Sequence, residues 1–225
     1  MEQVELFSKE TSRPGDVEAW CKTQGLDLVL GVDEAGRGPL AGPVFAAAVI
    51  LDMERLDEEW IASLNDSKKL GESSRVLSFD AIVEGALSYG IASVDSQDID
   101  KLNILQATFE AMRLAIEQAC DGLEEQPRLV MVDGRLTIPR LERNQRAFVG
   151  GDGRSLHIAA ASILAKVSRD RLMVEYDQRW PEYGFATNKG YATLFHREAI
   201  KTHGPCPIHR LSFARVKEHA GRLRG

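Results

Sequence analysis

Three cysteines, Cys21, Cys120 and Cys206, are widely spaced in 225 residues and odd in number. They cannot build a disulfide framework, and their scarcity points to a reducing compartment. No apolar run approaches the ~20 residues that a membrane helix needs. Residues 1–14 carry charges and lack the apolar core of an export signal. A cytoplasmic protein with no membrane partner is therefore expected. There is no internal repeat and no low-complexity segment. Net positive charge is also missing: the formal balance is −6. Taken alone, that argues against a nucleic-acid partner, since such proteins tend to be basic. Two facts weaken the exclusion. Acids that cluster around metal ions count as negative until the ions neutralise them. Basic residues are also uneven, with residues 189–224 rich in Lys, Arg and His, so basic character is local.

What is present is a sizeable core, with 44% hydrophobic residues. The length suits one large domain, alone or with an appendage. Five strands are predicted, at residues 26–33, 44–51, 87–94, 128–133 and 147–150. Helices are predicted at 16–23, 72–84, 98–120 and 155–177, with Ser155 as the cap of the last. The 98–120 segment carries Ile99, Leu102, Leu105, Phe109, Met112 and Ile116 at helical spacing. Two short helices, near 191–201 and 212–220, close the chain. This order predicts a mixed α/β sheet with helices on its faces.

The organising stretch is Gly31 to Pro39. An apolar strand runs into adjacent acids, Asp33 and Glu34. Unpaired carboxylates are costly to bury, so they need a cation, hydrogen bonds or a metal. Asp133 and Asp152 share the setting, each at or just after the end of an apolar strand and beside glycine. If those strands are neighbours the acids converge, and only cations can hold such a cluster together. Oxygen donors alone suit Mg²⁺ or Mn²⁺ rather than zinc. Two such ions are the usual apparatus for displacement at phosphate. The plainer reading makes each acid a turn residue. Adjacent strand residues point to opposite faces, so Asp33 and Glu34 share one site only if the strand bends at Glu34. Gly36, Arg37 and Gly38 form a turn able to bring backbone amides close to a ligand. The glycines read G-x-G-x-x-x-G, Pro39 lacks an N–H and no Walker A lysine follows, so a nucleotide cofactor is not indicated.

Several ordered stretches resemble one family. They are residues 33–39 (DEAGRGP), 65–70 (NDSKKL), 132–134 (VDG), 151–152 (GD) with 160–170 (AASILAKVSRD), 183–191 (YGF…KGY) and 209–213 (HRLSF). Together they resemble bacterial ribonuclease HII over most of the chain. The resemblance implies an RNase H-like fold, with an N-terminal arm and short helix at 1–25, a catalytic domain at 26–180 and a helical region at 181–225. It implies cleavage of RNA in RNA–DNA hybrids, including DNA carrying single ribonucleotides, with Mn²⁺ or Mg²⁺ as cofactor. Asp33, Glu34, Asp133 and Asp152 would be the metal-binding catalytic acids. The turn at Gly36, Arg37 and Gly38 would meet the ribose 2′-OH, and Tyr191 would stack at the RNA–DNA junction. Tyr191 also suits plain packing of the tail onto the domain. Two departures stand out: Gly150 where a lysine is familiar, and Asn188 where histidine is common.

Other cations are candidates for the phosphate backbone. Ser162, Lys166 and Arg169 fall at helical spacing and form either a phosphate-facing stripe or a solvated face. Lys68, Lys69 and Lys189 are similarly placed. His209 or Arg210 is expected on the DNA backbone. His203, Cys206 and His209 resemble part of a zinc knuckle, with too few local ligands to complete one. A monomer is expected. Two rivals to a nuclease remain: a binding module without catalysis, and a metal-binding scaffold with no nucleic acid.

Overall fold

The computed structural model describes residues 13–62, 64 and 71–222. Strands β1 (Val29–Ala35), β2 (Val44–Ile50), β3 (Ser88–Val94), β4 (Leu129–Asp133) and β5 (Gln145–Phe148) form one sheet in the order β3-β2-β1-β4-β5. The β1–β2 and β2–β3 pairs are antiparallel, and the β1–β4 and β4–β5 pairs are parallel. A short loop, residues 36–43, joins β1 to β2, whereas the β2–β3 connection carries helices at Glu59–Ala62 and Glu72–Gly85. Helices at Ser96–Leu102 and Ile104–Cys120 lie between β3 and β4, and residues 134–144, without a helix, join β4 to β5.

Helices α1 (Asp16–Thr23), α2 (Glu59–Ala62), α3 (Glu72–Gly85), α4 (Ser96–Leu102), α5 (Ile104–Cys120), α6 (Leu156–Arg179), α7 (Phe185–Asn188) and α8 (Leu194–His203) surround it. The alternation of β2 sorts its side chains between two layers. Val44, Ala46, Ala48 and Ile50 pack with α5 through Ala107, Ala111, Ala115 and Ala119. Ala47 and Val49 pack with α6 through Ala160, Ile163 and Leu164. Two glycines set how closely those helices lie. A Cβ on Gly90 would collide with the Ala115 carbonyl of α5, and one on Gly31 with the His157 backbone of α6. A third cluster, including Leu40, Met173, Tyr183, Phe185, Ile200 and Val216, ties the C-terminal segments to the loop after β1 and the end of α6.

The structure shifts several expected boundaries. The first strand starts at Val29 and runs on through both acids to Ala35. The helix expected at 98–120 is two helices, broken at Asn103. That residue takes a φ of 71°, which asparagine tolerates, and its side chain caps α5 by accepting from Leu105 N and Gln106 N. Strand β5 lies two residues earlier than expected, at Gln145–Phe148. Helix α8 starts at Leu194 because Thr193 caps it, accepting from His196 N, which leaves Tyr191 in the preceding loop. The last expected helix is a 3₁₀ segment at Lys217–Arg222. Ser155 caps α6 as expected, accepting from Ile158 N.

Candidate active site

The site grows out of the β1–β4 pair. Val32 pairs with Val132 in parallel register, so Asp33 and Asp133 follow side by side on neighbouring strands. Asp33 is on the α6 face, where Gly31 touches the helix, and Ser162 of α6 hydrogen-bonds to its carboxylate. Only 5% of Asp33 is exposed. Glu34 N donates to Asp33 Oδ1 at 2.7 Å, and Gly151 N donates to Asp133 Oδ1 at 2.7 Å. That second bond brings the Gly151–Gly153 turn to the sheet, and with it Asp152.

Electrostatics mark the cluster. Burial, then the charges of Asp133 and Glu34, raise Asp33 well above the usual carboxylate range. Burial also raises Glu34, against the pull of the Arg37 guanidinium, with Asp133 adding to the rise. Arg37 Nη1 lies 3.1 Å from Glu34 Oε1. Because β1 stays extended through Ala35, Glu34 points to the α5 face and Asp33 to the α6 face; the bend that would turn both to one face is absent. There it lines a cleft of about 320 Å³ with Asp133, Arg37 and Arg135, floored by Phe109 and Met112 of α5.

Among the described residues no three of His, Cys, Asp or Glu already stand together as ligands of one ion. The donor set nonetheless fits a hard divalent cation. The acids are all oxygen donors, and a cation among them would relieve the repulsion that raises Asp33.

The turn after β1 carries its residues unevenly. Arg37 and Gly38 are exposed, whereas Gly36 is buried. Gly36 has a φ of 95°, and a Cβ there would collide with the Arg169 guanidinium. Its glycine therefore answers to a close approach from inside the protein. The Tyr191 ring lies within van der Waals reach of a Cβ built on Gly38, 3.6 Å from its Cε1, and Tyr191 is 46% exposed. Its loop is fixed from below. Asn188 Oδ1 accepts from Gly190 N at 2.8 Å, and His196 Nδ1 lies 2.9 Å from Tyr191 O.

Several cations are not where the sequence placed them. Arg210, expected on the DNA backbone, is 0% exposed and bonds to the carbonyls of Gly36, Arg37 and Gly42. Arg169 faces inward and bonds to the carbonyls of Ala41, Pro43 and Lys189. The stripe of Ser162, Lys166 and Arg169 thus splits three ways. Ser162 meets Asp33, Lys166 pairs with Asp170 at 2.7 Å on the surface, and Arg169 is core. Lys189 folds its ammonium onto Ala186 O at 2.7 Å. His209 is buried and turns one ring nitrogen to Cys206 and the other to His196, so it neither reaches solvent nor shares an ion with Cys206 and His203. Lys68 and Lys69 lie outside the described residues. Helical periodicity does signal the burial of Arg169: Ala161, Ala165 and Met173 occupy the same stripe of α6.

A sequence model of the family described as Ribonuclease HII matches residues 30–216. The chain belongs to that family. The Ribonuclease HII of Endomicrobium trichonymphae is 51% identical over 195 residues, 87% of this chain and 89% of that one. The Ribonuclease HII of Geotalea daltonii is 46% identical over 225 residues and matches both chains along their full length. Among solved structures, the ribonuclease H2 from Pyrococcus horikoshii OT3 superposes with a TM-score of 0.70 at 27% identity, covering 87% of this chain and 98% of that one. A structure of Bst-RNase HIII in complex with Mn²⁺ gives 0.71 at 18% identity, covering 87% of this chain and 70% of that one, a likeness of fold. Membership makes this chain a metal-dependent endonuclease of RNA–DNA hybrids with an RNase H-like sheet. Helix α1 stands outside the matched span. No helix of the described residues is long and apolar enough to cross a membrane.

Proposed function

We propose that this protein cuts the RNA strand of hybrids and incises DNA on the 5′ side of single embedded ribonucleotides, leaving 5′-phosphate ends. Asp33, Glu34, Asp133 and Asp152 would hold two divalent ions, Mg²⁺ or Mn²⁺, with Asp133 as the shared acid, since it neighbours Asp33 on the sheet and lines the cleft with Glu34. Ions bound there supply an activated water and neutralise charge on the leaving oxygen. The observation that carries the reading is the pairing of Asp33 with Asp133 on adjacent strands, where each charge disfavours the other.

The chain's own residues supply position and selectivity. Arg37 and Gly38 are exposed beside the acids, and their amides would meet the ribose 2′-OH, the group that tells RNA from DNA. Tyr191 would stack on the next sugar, where a ring fits best if no hydroxyl projects. Lys166 and Lys68 remain candidates for phosphate contact. Lys189 supports the reading differently, since its carbonyl anchors Arg169 below the Tyr191 loop. The buried, unbridged cysteines fit a cytoplasmic setting, and a monomer carries all these groups on one chain.

The test is product mapping. A duplex with one ribonucleotide and a hybrid with a continuous RNA strand are incubated with Mn²⁺, with Mg²⁺ and with chelator. A cut immediately 5′ of the lone ribonucleotide, with 5′-phosphate ends and full loss under chelation, is expected. Cutting of the continuous hybrid alone would remove the junction role while leaving the hydrolase.

A further inference from the structure

Two guanidiniums lie fully inside the protein beneath the turn after β1. Arg210 donates from Nε to Gly42 O at 2.9 Å, from Nη1 to Arg37 O at 2.9 Å and from Nη2 to Gly36 O at 2.6 Å. Arg169 donates from Nε to Pro43 O at 3.0 Å, from Nη2 to Ala41 O at 3.1 Å and from Nη1 to Lys189 O at 2.9 Å. Five of these six carbonyls belong to the eight residues from Gly36 to Pro43. The sixth belongs to the loop that carries Tyr191. Among the described residues neither guanidinium has a carboxylate within ion-pair distance. A buried cation without a counter-ion is costly, and a lone structural arginine is more often matched by an acid. Here backbone carbonyls do all the matching, and their direction is the consequence that matters.

A trans peptide is planar, with its N–H opposite its C=O. The Gly36 and Arg37 carbonyls point down to Arg210. The amides of the same two peptides, Arg37 N–H and Gly38 N–H, therefore point up, away from the core. Both residues are exposed there, and among the described residues neither amide has an acceptor. Gly36 is needed for this, because Arg169 lies where its Cβ would be. Arg169 ties the Ala41–Pro43 stretch to the Tyr191 loop, together with the bond from Leu40 N to Gly190 O at 2.8 Å.

The geometry points to Arg169 and Arg210 as positioning residues for substrate selection: Arg210 holds the Gly36 and Arg37 carbonyls inward, and Arg169 joins the Ala41–Pro43 stretch to the Tyr191 loop, so that two free amides and the Tyr191 ring face the ribose together. This rests on the reading of that turn as the 2′-OH contact. The guanidinium fork is essential to it. A lysine keeps the charge, but one nitrogen cannot span three carbonyls set on different sides. The two buried charges lie beneath the turn and add to the positive character that the exposed Arg37 gives it.

The test compares binding of two matched duplexes, one all-DNA and one with a single ribonucleotide, with Ca²⁺ replacing the catalytic ion. Arg210→Lys and Arg169→Lys should each lower the preference for the ribonucleotide by about tenfold, the size of one lost hydrogen-bonding site. Affinity for the all-DNA duplex should change by less than about threefold, because a charge remains. Equal losses on both duplexes, or an unchanged preference, would overturn the positioning role. If the wild-type protein showed no preference at all, the reading of the turn would fall instead. Should the variants not fold, amide spectra of the wild-type chain decide. Arg37 and Gly38 amides must shift with the ribonucleotide duplex and stay in place with the all-DNA one; equal shifts overturn the proposal.

Discussion

Asp33 is almost wholly out of water, yet its charged companions are other acids, Asp133 and Glu34. Such an arrangement costs stability in the absence of a cation, and the cost is tolerable only where the charge is used. Asp33→Asn should therefore lower turnover by more than ~100-fold, beyond what outer residues of metal sites contribute. The melting temperature without metal should stay level or rise, because repulsion is relieved. A calorimetric scan beside the activity assay checks both; a large drop in melting temperature would make Asp33 a structural partner instead. Tyr191 is the second residue whose exposure is informative. Its ring leans over Gly38 and is not packed away, so the alternative of a tail-packing aromatic does not describe it. Tyr191→Ala should weaken binding to a single-ribonucleotide duplex by ~1–3 kcal/mol, and Tyr191→Phe by much less. A severe Phe variant would assign the reading to the hydroxyl. At this scale the acids, the turn and Tyr191 were legible because their residue types are odd for their places. Arg169 was legible in part, since it shares a stripe of α6 with Ala161, Ala165 and Met173. Arg210 was not: a charged side chain reads as surface until the fold shows three carbonyls waiting for it.

At the scale of elements, α1 and α6 meet through a buried cluster. Glu18 Oε1 accepts from Ser155 Oγ at 2.5 Å and lies 3.0 Å from His157 Nδ1. Both Glu18 and His157 are buried, and both residues from α6 stand just after the turn that carries Asp152. Burial works to raise the Glu18 carboxyl, but the His157 hydrogen bond and charge, with Ser155, hold it below its ordinary value. The sign follows. A depressed carboxyl adds stability above its unfolded value of 4.5, and that stability is lost as pH falls through its lower folded value. Asp33 and Glu34 act oppositely, being raised. The Glu18 component is isolated by difference: the melting temperature of Glu18→Gln should lie below that of the wild type at pH 7, with the gap closing as pH falls below 4.5 and through the lowered folded value. A gap independent of pH would show that packing alone is lost. Helix positions were mostly legible, since α3, α5 and α6 carry long apolar stripes. Asn103 broke one of them because an asparagine in the left-handed region caps better than it continues. The opposite faces of Asp33 and Glu34 were missed for a related reason. Sequence marks where a strand meets a turn, but pairing to Ala47 and Ala46 of β2 is what keeps β1 straight past both acids.

At the scale of the whole molecule, a chain of net charge −6 belongs to a family that handles polyanions. The basic C-terminal stretch does not resolve this as a patch. Arg210 is buried, and Arg222 is spent on the carbonyls of Lys201 and Thr202. Two buried guanidiniums, Arg169 and Arg210, lie beneath the turn after β1, next to the cluster of acids. Selectivity in this account comes from a few aimed groups rather than from bulk attraction, and one oxygen atom should decide the outcome. The direct measurement is kcat/KM on two duplexes of identical sequence that differ at a single 2′ position, hydroxyl against hydrogen, with Mn²⁺ or Mg²⁺ present. Cleavage of the hydroxyl duplex only is expected, immediately 5′ of that nucleotide, and none under chelation. Comparable cleavage of both duplexes, or cleavage that survives chelation, would contradict it.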